Sequence, residues 1–444
     1  MKVKQLFFFS TLLLLFTGAF AQEIGPAKPY SIVIKGGHII DPKNNVDEVM
    51  DIAIKDGKIA AIAKSIDGSQ GTQLVNAKGM FITPGLIDLH VHFFWGHDGS
   101  GYMNARAGLP ADGFTFPAGV TTVVDAGSPG WKSFELYKKQ TIDQSQTRVL
   151  AMLNIVSEGM DSRNESDIEH MDPKSTADMA KKYPEHIVGV KLAHFSGRGP
   201  LAHTWIPTDR ALEAGRLANI PIMVDFGSAN PYLPLDSLFN VKFRPGDMYT
   251  HAFGGNPEVG LTTQSGRESI VDISTKKVKE YVIRAQKRGV IFDIGFGGSS
   301  FLFSQGIPAI KSGFYPNSIS TDLHTGSMNN AMKNMPNIMS LFMAMGMPFK
   351  EVVKASTWNP AQQIKRPELG NLSVGSEADI ALFTLRKGNF GFYARDGRIA
   401  GKNRLETEMT IRAGRIVYNL NAIAEPNLLP DGPRQRPANA PQNP

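Results

Sequence analysis

Pro84-Gly85-Leu86-Ile87-Asp88-Leu89-His90-Val91-His92 carries two histidines one residue apart, after a Pro-Gly turn and a short apolar run. Side chains alternate faces along an extended strand, so residues i and i+2 point the same way. Both imidazoles are therefore expected to face one point in space. Imidazole is the commonest protein metal ligand, and this spacing is half a metal site. Two histidines on a polar strand face would produce the same pair, so the rest of the chain has to decide.

The residues around this strand predict its setting. Over 81–365, strand-like segments alternate with helix-like ones. Eight strand candidates can be placed, at 87–93, 121–126, 149–155, 187–193, 220–226, 247–252, 290–296 and 318–324, with helix-like stretches such as 208–218 and 275–288 between them. Alternating β and α elements imply a parallel sheet, and eight such strands fit a (β/α)8 TIM barrel. In that fold the chemistry sits at the C-terminal ends of the strands.

Residues 22–80 read as short strands with turns at Gly36-Gly37 and Lys55-Asp56-Gly57-Lys58. Residues 366–422 repeat the style, with turns at Arg395-Asp396-Gly397-Arg398 and Arg412-Ala413-Gly414-Arg415. Neither segment is long enough for a comfortable core of its own. They are expected to pair into one small β-sandwich domain beside the barrel. Residues 423–444, rich in Pro, Asn and Gln, are expected to form a disordered tail.

The chain has 444 residues, 42% hydrophobic and 20% charged, as an ordinary globular protein does. Its formal net charge, 47 − 41 = +6, is mild for this length, and no dense Lys/Arg block accompanies it. Nucleic acid is therefore not an expected partner. Residues 1–21 combine Met1-Lys2-Val3-Lys4, an apolar stretch over 6–16 and Ala19-Phe20-Ala21, the pattern of a secretory signal peptide. The mature chain is thus expected to be exported, periplasmic or extracellular. No later stretch reaches the roughly 20 apolar residues of a membrane span. With no cysteine there is no disulfide, no lipidated cysteine and no thiolate ligand. A metal must then be held by His, Asp, Glu or a modified Lys, which suits zinc, manganese, iron or nickel.

Ionisable residues collect at the expected strand ends. His90 and His92 close the first strand, Lys191 the fourth, Asp225 the fifth, His251 the sixth and Asp322 the eighth, with His324 two residues on. A lysine confined near cations has a depressed pKa, and a neutral amine adds carbon dioxide to give a carbamate with two donor oxygens. Taken alone, Lys191 better suits an ammonium reaching water. Asp322 can bind metal and accept a proton, or cap a following helix. His251 and Asp225 equally suit buried, hydrogen-bonded roles.

Together these residues resemble the amidohydrolase superfamily of metal-dependent hydrolases, nearest the branch of dihydroorotase-like deacetylases and D-aminoacylase-type enzymes. The likeness covers about residues 30–420. It includes Lys35-Gly36-Gly37-His38-Ile39-Ile40-Asp41 and Lys78-Gly79-Met80-Phe81-Ile82-Thr83, which leads into the histidine strand. The resemblance implies that His90, His92, Lys191 (carbamylated), Asp225, His251 and Asp322 bind one or two divalent metals, zinc first. It implies hydrolysis of an amide or related acyl bond by metal-activated hydroxide, with Asp322 as general base and then acid. The substrate is expected to be a small molecule, and the reading leaves room for a homo-oligomer.

Two positions depart from the family pattern. Asp225 stands where a histidine ligand is usual, and Phe296 where nearer relatives often carry another histidine. These departures keep open a non-catalytic binding protein on a degenerate barrel. The scaffold also admits an esterase. His194, His324, Phe296 and Ser299 are candidate substrate contacts, with Phe93, Trp95 and Arg198 as further lining candidates.

Overall fold

The computed structural model describes residues 28–94, 107–160, 167–194, 204–227, 232–259, 261 and 266–425. The expected leader, Trp95, Arg198 and most of the expected tail lie outside them.

Seven parallel strands form one sheet: Leu86–Val91, Val120–Gly130, Arg148–Asn154, Ile187–His194, Ile222–Phe226, Met248–Tyr249 and Ile291–Phe292. Each lies beside its neighbour in the sequence, the single winding of a barrel. Their residues are almost all buried, because helices cover a parallel sheet and leave no solvated face. Two apolar clusters serve the sheet. One joins strand residues such as Leu153 and Val190 to helix residues such as Leu212 and Val282. The other gathers Leu89, Val124, Met152, Met223 and Met248. Each such aliphatic side chain contributes about 1.5–3 kcal/mol on burial. The helix Ile206–Ala218 stops at Asn219, whose φ of 55° places it in the left-handed region, and the chain turns directly into the fifth strand.

The eighth strand differs from expectation. Residues 318–324 make two isolated parallel bridges, Ser318 with Asp293 and Leu323 with Val91, and these close the ring between the seventh and first strands. Backbone bonds such as Phe296 N–H to the Ser320 carbonyl (3.1 Å) and His92 N–H to the Leu323 carbonyl (2.9 Å) run along it, and carboxylate and hydroxyl side chains add to them. The Thr321 N–H donates to Asp88 Oδ1 (3.0 Å), and the Gly295 N–H donates to Ser320 Oγ (2.8 Å). The result is a (β/α)8 barrel whose last stave is held by backbone bonds and by buried polar side chains together.

Strands of the N- and C-terminal segments join in a separate eight-stranded, mostly antiparallel sheet. Asp56-Gly57 forms the expected hairpin turn, with φ of 49° and 74°. Gly36-Gly37 does not turn the chain. One strand, Tyr30–Asp41, runs through it, and the pair makes a β-bulge between Ile34 and Gly37, with Gly36 at φ 71° donating its N–H to Asp51 Oδ1. A cluster of Ile34, Ile52, Ile82, Leu382 and Ile411 fills this sheet's core. Arg148, at the start of the third barrel strand, ties it to the barrel. Its guanidinium donates to Asp379 (2.8 Å) and Glu377 (2.7 Å), which also receive Arg412. Among the described residues no helix is long and apolar enough to cross a membrane.

Candidate metal centre

Parallel strands align their C-terminal ends on one edge, and the structure brings His90, His92, Lys191, Asp225, His251 and Asp322 there. His92 Nε2 lies 3.2 Å and His90 Nε2 3.6 Å from Asp322 Oδ1. The donor atoms of these three buried residues all fall within 4.8 Å of one another. Lys191 Nζ is 3.3 Å from His90 Nε2 and donates to the Ala126 carbonyl at 3.3 Å.

What lies behind His90 and His251 fixes their tautomers. Thr250 donates its single hydroxyl proton to Asp293 Oδ2 (2.8 Å), so at 2.9 Å it accepts from His90 Nδ1–H. His90 Nε2 then presents a lone pair to the centre. Asp293, fully buried, also accepts from Ser318 and Ser320. His92 Nδ1 lies 3.1 Å from Ser128 Oγ. His251 Nδ1 donates to the Gly295 carbonyl at 2.6 Å, which turns its Nε2 toward Asp225 Oδ2 at 3.3 Å.

Electrostatics agree with this geometry. Burial, with the cationic neighbours Lys191, His251, His92 and His324, pushes the His90 pKa well below the usual imidazole value, which keeps it a neutral donor. Burial opposes ionisation of Asp322, but the hydrogen bond from His92 and the charges of His251, His92 and His324 outweigh it. The carboxyl is held below its ordinary range. Burial raises the Asp293 pKa despite its three hydroxyl donors.

Backbone strain marks the same place. His251 (φ 57°) and Asp322 (φ 51°) both occupy the left-handed region that non-glycine residues rarely visit. Gly295 and Gly297 let the chain close over them. A Cβ on Gly295 would lie 2.9 Å from both His90 Nδ1 and His251 Nδ1, and one on Gly297 would lie 2.4 Å from Asp322 Oδ2.

Residues 306–417 match the amidohydrolase family. A deacetylase of Brucella anthropi is 33% identical to this chain, an alignment covering 81% of this chain and 85% of its own. The chain belongs to the amidohydrolase superfamily. A deacetylase of Agrobacterium fabrum is also 33% identical, over 79% of this chain and 82% of its own. The crystal structure of an adenine deaminase superposes with a TM-score of 0.76 at 28% identity, covering 88% of this chain and all of that one. This amidohydrolase is thus a hydrolase of carbon–nitrogen bonds other than peptide bonds, and its family generally uses divalent metals.

The remaining sequence candidates stand outside the converging trio of His90, His92 and Asp322. Both oxygens of Asp225 are taken by Arg267, which donates from Nε (2.7 Å) and Nη2 (2.6 Å). Phe296 is buried and stacks on Phe301 at 4.8 Å, and Phe93 is fully buried. His194 bonds Thr208 through Nδ1 and packs edge-on against Phe226. Ser299 is exposed in a turn. His324 stays close, with Nε2 3.9 Å from Asp322 Oδ2. Sequence reasoning missed Thr250, Asp293, Ser128 and Arg267. A lone aspartate ending the apolar run Val290-Ile291-Phe292-Asp293 was the one visible signal among them.

Proposed function

We propose that this amidohydrolase is an exported, metal-dependent hydrolase of an amide or related acyl bond, of the deacetylase or aminoacylase kind. The observation that carries it is the convergence of His90 Nε2, His92 Nε2 and an Asp322 carboxylate oxygen within 4.8 Å, with hydroxyls engaging both Nδ1 atoms from behind. Two imidazoles and a carboxylate are a fitting donor set for a divalent cation. His90, His92 and Asp322 would hold it, and Lys191, as a carbamate, would add an anionic oxygen. When bound, the ion supplies Lewis acidity, which acidifies water and polarises a carbonyl.

The chain's own residues then divide the work. Asp322 accepts the proton of the attacking water at a carboxylate oxygen and passes it to the leaving nitrogen. Thr250 and Asp293 orient His90. Ser128 orients His92. The names of the relatives and the leader-like residues 1–21 support the substrate class and the export, respectively.

Two measurements bear on this reading. The zinc- or manganese-loaded protein should hydrolyse at least one class in a panel of N-acyl amino acids, cyclic ureides and acyl esters. A correctly folded, metal-replete protein inert to the whole panel would count against catalysis. Thr250→Val removes the acceptor behind His90 and is expected to weaken metal affinity about 10–100-fold, read by competition with a chromogenic chelator. Unchanged affinity would remove Thr250 from the site.

A further inference from the structure

Asp225 and His251 face each other at the same edge as the metal-binding cluster, yet neither belongs to the group whose donor atoms converge. Arg267 instead engages Asp225. Its Nε and Nη2 form a two-pronged contact with Oδ1 and Oδ2 of Asp225, at 2.7 and 2.6 Å. Both partners are largely removed from water, the side chains being 24% and 7% exposed. A guanidinium cannot give up its charge in a protein, and its planar fork matches a carboxylate better than any other cation on the chain can. For Asp225 and His251 to take an ion between them, a carboxylate oxygen would have to leave this fork. The incoming ion would then stand beside a fixed positive charge in a buried place, where screening is weak. The field of Arg267 also extends to Asp322, so the guanidinium is part of the same electrostatic centre.

We propose that the Arg267–Asp225 ion pair fills the place of a second cation, so that this centre takes one divalent metal ion, on the His90, His92 and Asp322 side. The protein itself supplies the other positive charge, permanently and independently of metal supply. This rests on the metal-centre reading above. It adds the number of ions and gives Arg267 a positioning and charge-supplying role.

Metal stoichiometry tests it without reference to turnover. The full chain is stripped with chelator and titrated with zinc sulfate, and bound metal per chain is counted by native mass spectrometry and elemental analysis. The wild type is expected to saturate at one ion. Arg267→Met frees both oxygens of Asp225 beside His251 and is expected to raise the count to two. Arg267→Lys keeps the charge and is expected to stay at one. Two ions in the wild type would overturn the inference while leaving the metal centre standing. So would a natively folded Arg267→Met chain that stays at one, folding being checked by circular dichroism. A wild type that binds none would overturn the metal centre, and the inference with it. If Arg267→Met fails to fold, the wild-type and Arg267→Lys counts still decide.

Discussion

Asp322→Asn is expected to lower kcat by about 10²–10⁴-fold, the usual worth of a positioned general acid–base group, with KM little changed. Asparagine has nearly the same shape, so the left-handed backbone at φ 51° and the bond from Ser327 Oγ to the Asp322 carbonyl (2.7 Å) have no cause to change. The amide oxygen can still face His92 Nε2, so metal should remain bound, though less tightly. What is lost is the capacity to receive a proton. The carboxyl sits below its ordinary range chiefly because His92, His251 and His324 outweigh its burial, so it is ionised and ready at neutral pH. His324, 3.9 Å from Asp322 Oδ2, is the rival base. Steady-state kinetics and metal content on Asp322→Asn and His324→Asn separate the two. A metal-replete Asp322→Asn enzyme with wild-type kcat would exclude the role given to Asp322, and a large loss in His324→Asn alone would transfer it.

How much of this was legible in the sequence depended on whether a contact was local. Barrel strands one to five show as near-continuous apolar runs, and the histidine pair declares its own geometry through the period of two. The last stave was harder. Asp88 bonds it through a side chain, and its own Ser320 side chain takes the Gly295 N–H, contacts that no backbone pattern reveals. Gly36-Gly37 read as a turn because glycine punctuates both turns and bulges, and only pairing with the strand Val46–Lys55 distinguishes them. His194, a candidate substrate contact by sequence, shares a strand with Lys191. In the strand Ile187–His194 the two stand three apart, an odd spacing that sends them to opposite faces. Arg267 carried no signal at all. It lies 42 residues from Asp225 and outside every motif, and only the folded chain shows that the carboxylate already has a cation.

Chelation is expected to bring turnover to background while leaving secondary structure intact. The two consequences separate because the centre and the core are different parts of the molecule. The apolar clusters that hold the barrel, such as Leu153, Val190, Leu212 and Val282, make no use of His90, His92 or Asp322. Far-UV circular dichroism should therefore hold. The thermal midpoint should still fall, because an ion that binds only the native state stabilises it. At free metal 100 times Kd this is worth about 2.7 kcal/mol, which the chelator removes. Loss of the ion leaves Asp322 against two buried imidazoles, His92 Nε2 at 3.2 Å and His90 Nε2 at 3.6 Å, and Lys191 Nζ near the second. These nitrogens and the carboxylate can then bond one another, so the cluster relaxes without opening the barrel. Re-addition of zinc or manganese should restore both activity and midpoint, since Thr250 and Ser128 still hold the imidazoles from behind. Activity that survives exhaustive chelation, with metal verified absent by elemental analysis, would mean that these side chains serve something other than a metal ion.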